Sequence, residues 1–177
     1  MKKFIIIGFL VFNTFSMQSQ WCWQEPYPCG TWWYNDIFFV SPQTGWMAGA
    51  DGLIISTTDG GNTWNKQESW TFEDLNGIYF TDSLYGWMFG DHGVILHTED
   101  GGSNWEMHYY PNMYTLYDGW FFDQQEGWIC GANTLMLHTI DGGDTWIKVQ
   151  NGLEINLELV NITFLSETNG WVGGTRG

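Results

Sequence analysis

Basic residues are scarce in this chain. Lys and Arg together number 5 against 20 Asp and Glu, so the 177 residues carry a formal charge of −15 at pH 7. A nucleic-acid partner requires clustered Lys and Arg to neutralise its phosphates, and an anionic lipid surface requires a basic patch. The composition therefore excludes nucleic acid and disfavours a lipid surface, and the acidity reads as a solvated exterior. Cysteine is also sparse, with 3 residues, no Cys-x-x-Cys and no His at zinc-ligand spacing. There is no His-Glu-x-x-His and no Gly-x-Ser-x-Gly nucleophile elbow, and "GADG" does not precede a helix as a phosphate loop would. Neither cofactor nor metal is expected. The apolar run Phe4 to Phe12 is too short for a bilayer-spanning helix, which takes about 20 residues. No later stretch keeps a helical period.

Lys2 and Lys3, the apolar run and the polar "NTFSMQSQ" have the order of a secretory signal peptide, expected over residues 1–19. This predicts a periplasmic, cell-surface or extracellular protein, a setting that permits a disulfide. Within the N-terminal segment 20–35, Cys22 and Cys29 flank "WQEPYP" and are spaced to close a small loop. Cys130, inside "GWICG", reads as a small buried hydrophobe.

What the sequence has in abundance is aromatic, at 19% of residues with 13 Trp, and these rings recur. Trp46, Trp87, Trp128 and Trp171 each follow a Gly, at spacings of 41, 41 and 43, and Phe39, Phe80, Phe121 and Phe164 stand seven residues before them. "TTDGGNTW", "TEDGGSNW" and "TIDGGDTW" recur at the same 41-residue interval. Each unit reads as four short strands separated by Gly, Asp and Pro turns, one blade of an all-β propeller. Repeats are expected over about 36–76, 77–117 and 118–160, with a partial fourth at 161–177. Three blades and half of another make an incomplete propeller with open strand edges, so the expectation is a piece of a longer protein.

In the Asp-Gly-Gly stretch, an acid before two glycines suits a tight turn. Its carboxylate takes backbone N–H groups two or three residues on, and the glycines accept positive φ. Asp59, Gly60, Gly61 and Trp64 are therefore read as structural, as are Asp100, Gly101, Gly102 and Trp105, and Asp141, Gly142, Gly143 and Trp146. This pattern resembles the Asp-box, or bacterial neuraminidase repeat. Phe80, Gly86, Trp87, Gly90, Gly93, Ile95, Thr98, Asp100, Gly101, Gly102 and Trp105 together resemble the photosystem II stability and assembly factor family. The third repeat departs, with Asn133 and Thr134 where the second has His92 and Gly93. The resemblance implies a propeller whose Asp-boxes are peripheral turns; it is weak for function, because propellers host unrelated activities.

Function is then sought between the repeats, in "NKQESWTFEDLN" and "HYYPNMYTLYDG". Trp70, Phe72, Tyr109, Tyr110 and Tyr114, with Trp32 and Trp33 before the first blade, are candidate contacts for a protein or glycan ligand. The competing reading is that these rings fill gaps between blades. The favoured function is a non-enzymatic binding or assembly module. The alternative is a glycoside hydrolase or a carbohydrate-binding propeller, since Asp-boxes occur in sialidases and propeller xyloglucanases. A single arginine, Arg176, cannot form a sialidase's arginine cluster. Glu73, Asp74, Asp91, Asp118 and Asp123 are the carboxylates available for a pair flanking a sugar bond. Asp91 reads as a turn residue and Asp118 as the opening of a strand.

Overall fold

A computed structural model describes residues 33–111, 113–152 and 157–175. Residues 1–19, expected to be a signal peptide, and Cys22, Cys29, Trp32 and Arg176 lie outside the described residues. The described chain is all β apart from two three-residue 3-10 turns at Ala50–Gly52 and Asp91–Gly93. Strands β1 (Tyr34–Phe39), β2 (Gly45–Gly49), β3 (Ile54–Thr57) and β4 (Asn65–Gln67) form the first antiparallel meander. The second holds β5 (Leu75–Phe80), β6 (Gly86–Gly90), β7 (Val94–Thr98) and β8 (Glu106–Tyr109), and the third β9 (Leu116–Phe121), β10 (Gly127–Gly131), β11 (Leu135–Thr139) and β12 (Ile147–Lys148). The last sheet has β13 (Leu159–Ser166) and β14 (Asn169–Gly174). In each four-stranded sheet the strands pair in sequence order. β1 contacts β5, β5 contacts β9 and β9 contacts β13. The first strands therefore form the inner wall of an arc of an incomplete propeller, with β4, β8 and β12 on its rim. The strand starts differ slightly from expectation: Asp118 is the third residue of β9, and Trp64 lies just before β4.

The repeated aromatics meet between sheets, which explains their spacing. Phe80 pairs across strands with Gly86, and a Cβ at Gly86 would lie 2.3 Å from the Phe80 ring. The glycine of each Gly-Trp pair thus clears room for the phenylalanine. On Phe80 stacks Trp46 of the preceding sheet, with centroids 3.8 Å apart, while Trp105 meets it edge-on at 6.0 Å. Trp87, Phe121 and Trp146 repeat the arrangement one sheet further on. Trp46 Nε1 donates to Gly101 O at 3.1 Å and Trp87 Nε1 to Gly142 O at 2.7 Å, so each indole also hangs on the next sheet's Asp-Gly-Gly turn. Such ring pairs contribute ~0.5–1.5 kcal/mol each beyond the area they bury. The core is accordingly a series of inter-sheet clusters, the first joining Trp46 and Ile54 to Leu75, Phe80 and Leu96.

A second link uses irregularity. The ladder skips the second residue of each first strand: Asn35, Asn76, Tyr117 and Val160. A bulge re-aims its side chain, and here three of the four reach the next sheet. Asn35 Nδ2 donates to Leu75 O at 3.0 Å, Asn76 Nδ2 to Leu116 O at 3.2 Å, and the Tyr117 hydroxyl to Glu158. One residue further, Asp36 accepts Ile78 N–H at 3.0 Å and Asp118 accepts Ile162 N–H at 2.9 Å.

Candidate functional site

The meander sorts its connections onto two ends. At one end the loops after the first strands meet the Asp-Gly-Gly turns, with Gly60, Gly101 and Gly142 N–H donating to Gln43, Leu84 and Gln125 O at 2.8–2.9 Å. At the other end the turns between second and third strands meet the loops that join sheets. There Ala50 N–H donates to Trp33 O, Asp91 N–H to Asp74 O and Tyr110 N–H to Gly93 O. The Asp-Gly-Gly turns and the aromatic loops therefore occupy opposite ends of the arc.

The Asp-Gly-Gly end is built for structure. The Thr98 hydroxyl, buried, accepts Gly102 N–H at 2.9 Å and donates to Asp100 Oδ1 at 2.9 Å. Asp100 Oδ1 accepts Asn104 N–H, four residues on rather than two or three, at 2.8 Å. Thr57 and Asp59, and Thr139 and Asp141, repeat this pattern. Hydrogen bonds from the Thr145 hydroxyl and amide hold the Asp141 carboxyl down at about 2. Each acid is spent on its own turn. A cleft of about 490 Å³ opens at this end, lined by His97, Glu99, Asp100, Glu106, Asp141 and Asp144 among others. His97 stacks on Trp87 at 4.9 Å, and burial lowers its pKa. Among the described residues no group of three or more His, Cys, Asp or Glu is arranged to hold a metal ion.

The aromatic end divides the sequence candidates. Tyr110 and Tyr114 are half-buried and pack against the cluster between the second and third sheets, as gap-filling rings do. Trp33, Trp70 and Phe72 do not: they are 78%, 76% and 91% exposed. Tyr109 is also exposed and borders a cleft of about 210 Å³ with His108, Tyr110 and Trp146. Around Trp70 the usual polarity of burial is inverted. Ser69 and Thr71, small and polar, are 5% and 9% exposed, while the rings on either side of Thr71 stand in solvent. The buried pair fixes the loop: Ser69 Oγ accepts Thr71 N–H at 3.4 Å, Thr71 Oγ1 accepts Glu73 N–H at 3.1 Å, and the Thr71 carbonyl lies against Gly52. Trp70 itself has φ 59°. A bulky residue in the left-handed region is costly, and such strain concentrates at functional sites.

These pieces form one strip. Trp33 touches the Ala50–Gly52 turn through the Ala50 amide, and Asp51 N–H donates to Asp74 Oδ1 at 3.0 Å. Asp74 O takes the Asp91 amide, and Glu73 Oε2 lies 2.6 Å from His92 Nδ1. Gly93 O then takes the Tyr110 amide. The carboxylates considered for sugar chemistry are committed elsewhere. Asp74 and Asp91 hold Asp51 N–H and Asn76, and Asp123 caps the Gln125 and Glu126 amides at the opposite end. Burial pushes Asp118 up to about 6, a value suited to an acid catalyst, yet its oxygens take Gly119 N–H, Ile162 N–H and Asn161 Nδ2. Sequence reasoning missed the buried Ser69 and Thr71, whose only signal was alternation with aromatics in a loop.

Three overlapping segments of the chain, residues 16–111, 67–152 and 107–177, match the family model described as photosynthesis system II assembly factor YCF48. The fold is similar to a solved structure of YCF48 bound to D1 peptide, with TM-score 0.66 and 23% identity over 78% of this chain and 45% of that one. It is also similar to YCF48 from Cyanidioschyzon merolae, with TM-score 0.68 and 18% identity over 81% of this chain and 48% of that one. The GH74 enzyme of Niastella koreensis gives TM-score 0.66 at 15% identity, over 81% of this chain and 26% of that enzyme. These structural likenesses show the fold, and the chain spans less than half the length of either YCF48 structure. No curated protein matches the chain in sequence.

Proposed function

The chain belongs to the photosynthesis system II assembly factor YCF48 family, and on that premise we propose that it is a non-enzymatic binding module that holds a segment of another protein on its aromatic end. The observation that carries this reading is the inversion at Ser69–Phe72, where two small polar residues are buried and two large rings are presented to solvent. Exposed Trp and Phe on a loop fixed from beneath supply contact area with little ordering cost. A solved YCF48 structure holds a D1 peptide, which supports a peptide-sized ligand here. The Asp-boxes serve as rim turns. Residues 1–19 act as an export signal, so the ligand is met outside the cytoplasm.

The test is capture of partners from the exported fraction with the full chain, then with Trp70→Gly and Phe72→Ala. Trp70→Gly suits the left-handed backbone, so the fold is retained. Wild type is expected to retain a partner that the double variant loses at unchanged melting temperature. Capture unaffected by the double variant refutes the aromatic end as the site. Release of reducing sugar from xyloglucan would refute the non-enzymatic reading, and preferential retention of a glycan on an array would replace protein by carbohydrate as ligand.

A further inference from the structure

The aromatic strip has a charge sign as well as a shape. Asp51 is exposed at the tip of its turn, and Glu73, Asp74 and Asp91 are half-buried along the same strip. Among the described residues the basic side chains are Lys66 and Lys148, on rim strands β4 and β12 and outside every turn and loop of this end. His92, the strip's own titratable base, is taken by Glu73 at 2.6 Å. Among the described residues no Lys or Arg stands in the turns and loops that carry Trp33, Trp70 and Phe72. An exposed ring attracts a cation through its quadrupole, and a neighbouring carboxylate adds a charge-assisted partner.

We propose, resting on the reading of this end as a protein-binding face, that its occupant is an extended peptide segment bearing Arg or Lys, whose cationic side chains meet Trp70 and Phe72 while Asp51 and Asp74 supply the counter-charge. Acidic segments are repelled by the same groups, so the strip selects by charge sign and the rings supply the contact area. Association is steered by the field of the whole chain, at −15, and weakens with salt.

The experiment uses the full chain and three fluorescent twelve-residue peptides that share a Gly/Leu framework and differ at four positions, all Arg, all Gln or all Glu. Binding is read by anisotropy at low and at physiological ionic strength. The Arg peptide is expected to bind at least about tenfold more tightly than the Gln peptide, the Glu peptide least. Trp70→Gly is expected to weaken the Arg peptide about tenfold. The pair Asp51→Asn with Asp74→Asn, which keeps the side-chain lengths and an amide oxygen for the Asp51 N–H, is expected to flatten its salt dependence. Equal binding of Arg and Gln peptides that still depends on Trp70 overturns the charge inference and leaves the protein-binding face standing. Arg-peptide binding indifferent to all three substitutions overturns it too, since the cation then lies on another surface. Failure of all three peptides to bind, together with partner capture indifferent to Trp70→Gly, overturns both readings.

Discussion

Thr98 carries more of the turn after β7 than the acid two residues on, because its hydroxyl is buried while the Asp100 carboxylate faces solvent. Replacement by valine keeps the shape and removes the acceptor for Gly102 N–H, a buried donor. Leaving such a group unpaired costs ~1–3 kcal/mol, and in a domain of this size each kcal/mol lowers the melting temperature by ~2–4 °C. Thr98→Val is therefore expected to melt several degrees below wild type, and Asp100→Asn, which leaves the Thr98 hydroxyl in place, closer to it. A calorimetric scan that ranks the two the other way makes the carboxylate the support. The recurring Asp was visible in the sequence as a turn device, but its partner was read as backbone two or three residues on. A threonine has no periodic signature that distinguishes a buried hub from an ordinary strand residue, so its part emerged only with burial.

The turn between β10 and β11 shows what the third repeat's departure means. In the first two sheets the corresponding positions are Asp51-Gly52 and His92-Gly93, all with positive φ, as a two-residue hairpin turn requires. The third has Asn133 and Thr134, at φ 58° and 55°. Asn tolerates this region, but a β-branched Thr is strained there by roughly 1–2 kcal/mol. The Thr134 amide donates to Leu157 O at 2.7 Å, a bond that a glycine would keep. Thr134→Gly is thus expected to raise the melting temperature by a degree or more after the glycine's own chain-entropy cost of about 0.5–1 kcal/mol. A drop would show that the Thr134 side chain holds more than its exposed hydrogen bond to Asn133 O. Strands of this kind were readable because Phe, Gly-Trp and Asp-Gly-Gly meet at one junction and constrain each other's spacing. The bulges at Asn35, Asn76 and Tyr117 were not, because their partners lie one repeat, about 41 residues, away. The aromatic loops were found as loops, but whether each ring faced the core or solvent depended on the next sheet's packing, which pulled in Tyr110 and Tyr114 and left out Trp70 and Phe72.

The inner wall couples the sheets to pH. Asp36 and Asp118 each grip the next sheet's backbone, and burial, with a smaller push from Asp36 on Asp118, raises both carboxyls. Asp118 rises from 3.8 to about 6. A raised carboxyl binds its proton more tightly in the folded state, so its contribution to stability is complete below 3.8 and is lost as pH climbs through about 6. Asp59, Asp100 and Asp141 act in the opposite sense, since turn hydrogen bonds lower them, and they withdraw stability only as pH falls below 3.8. His97 opposes Asp118 more directly: burial lowers it from 6.5, so stability is lost as pH falls below that value. The wild-type slope between these limits is a difference of contributions, and a substitution isolates one of them. Asp118→Asn keeps a carbonyl for Ile162 N–H but cannot titrate. Its stability deficit relative to wild type is expected to be largest near about pH 4, to shrink as pH rises from there to about 6 and to level off above it, read as the gap between the two urea midpoints across that range. A gap independent of pH would mean that Asp118 ionises in the folded arc as it does in the unfolded chain. The grip on Ile162 would then hold the sheets together without sensing the proton.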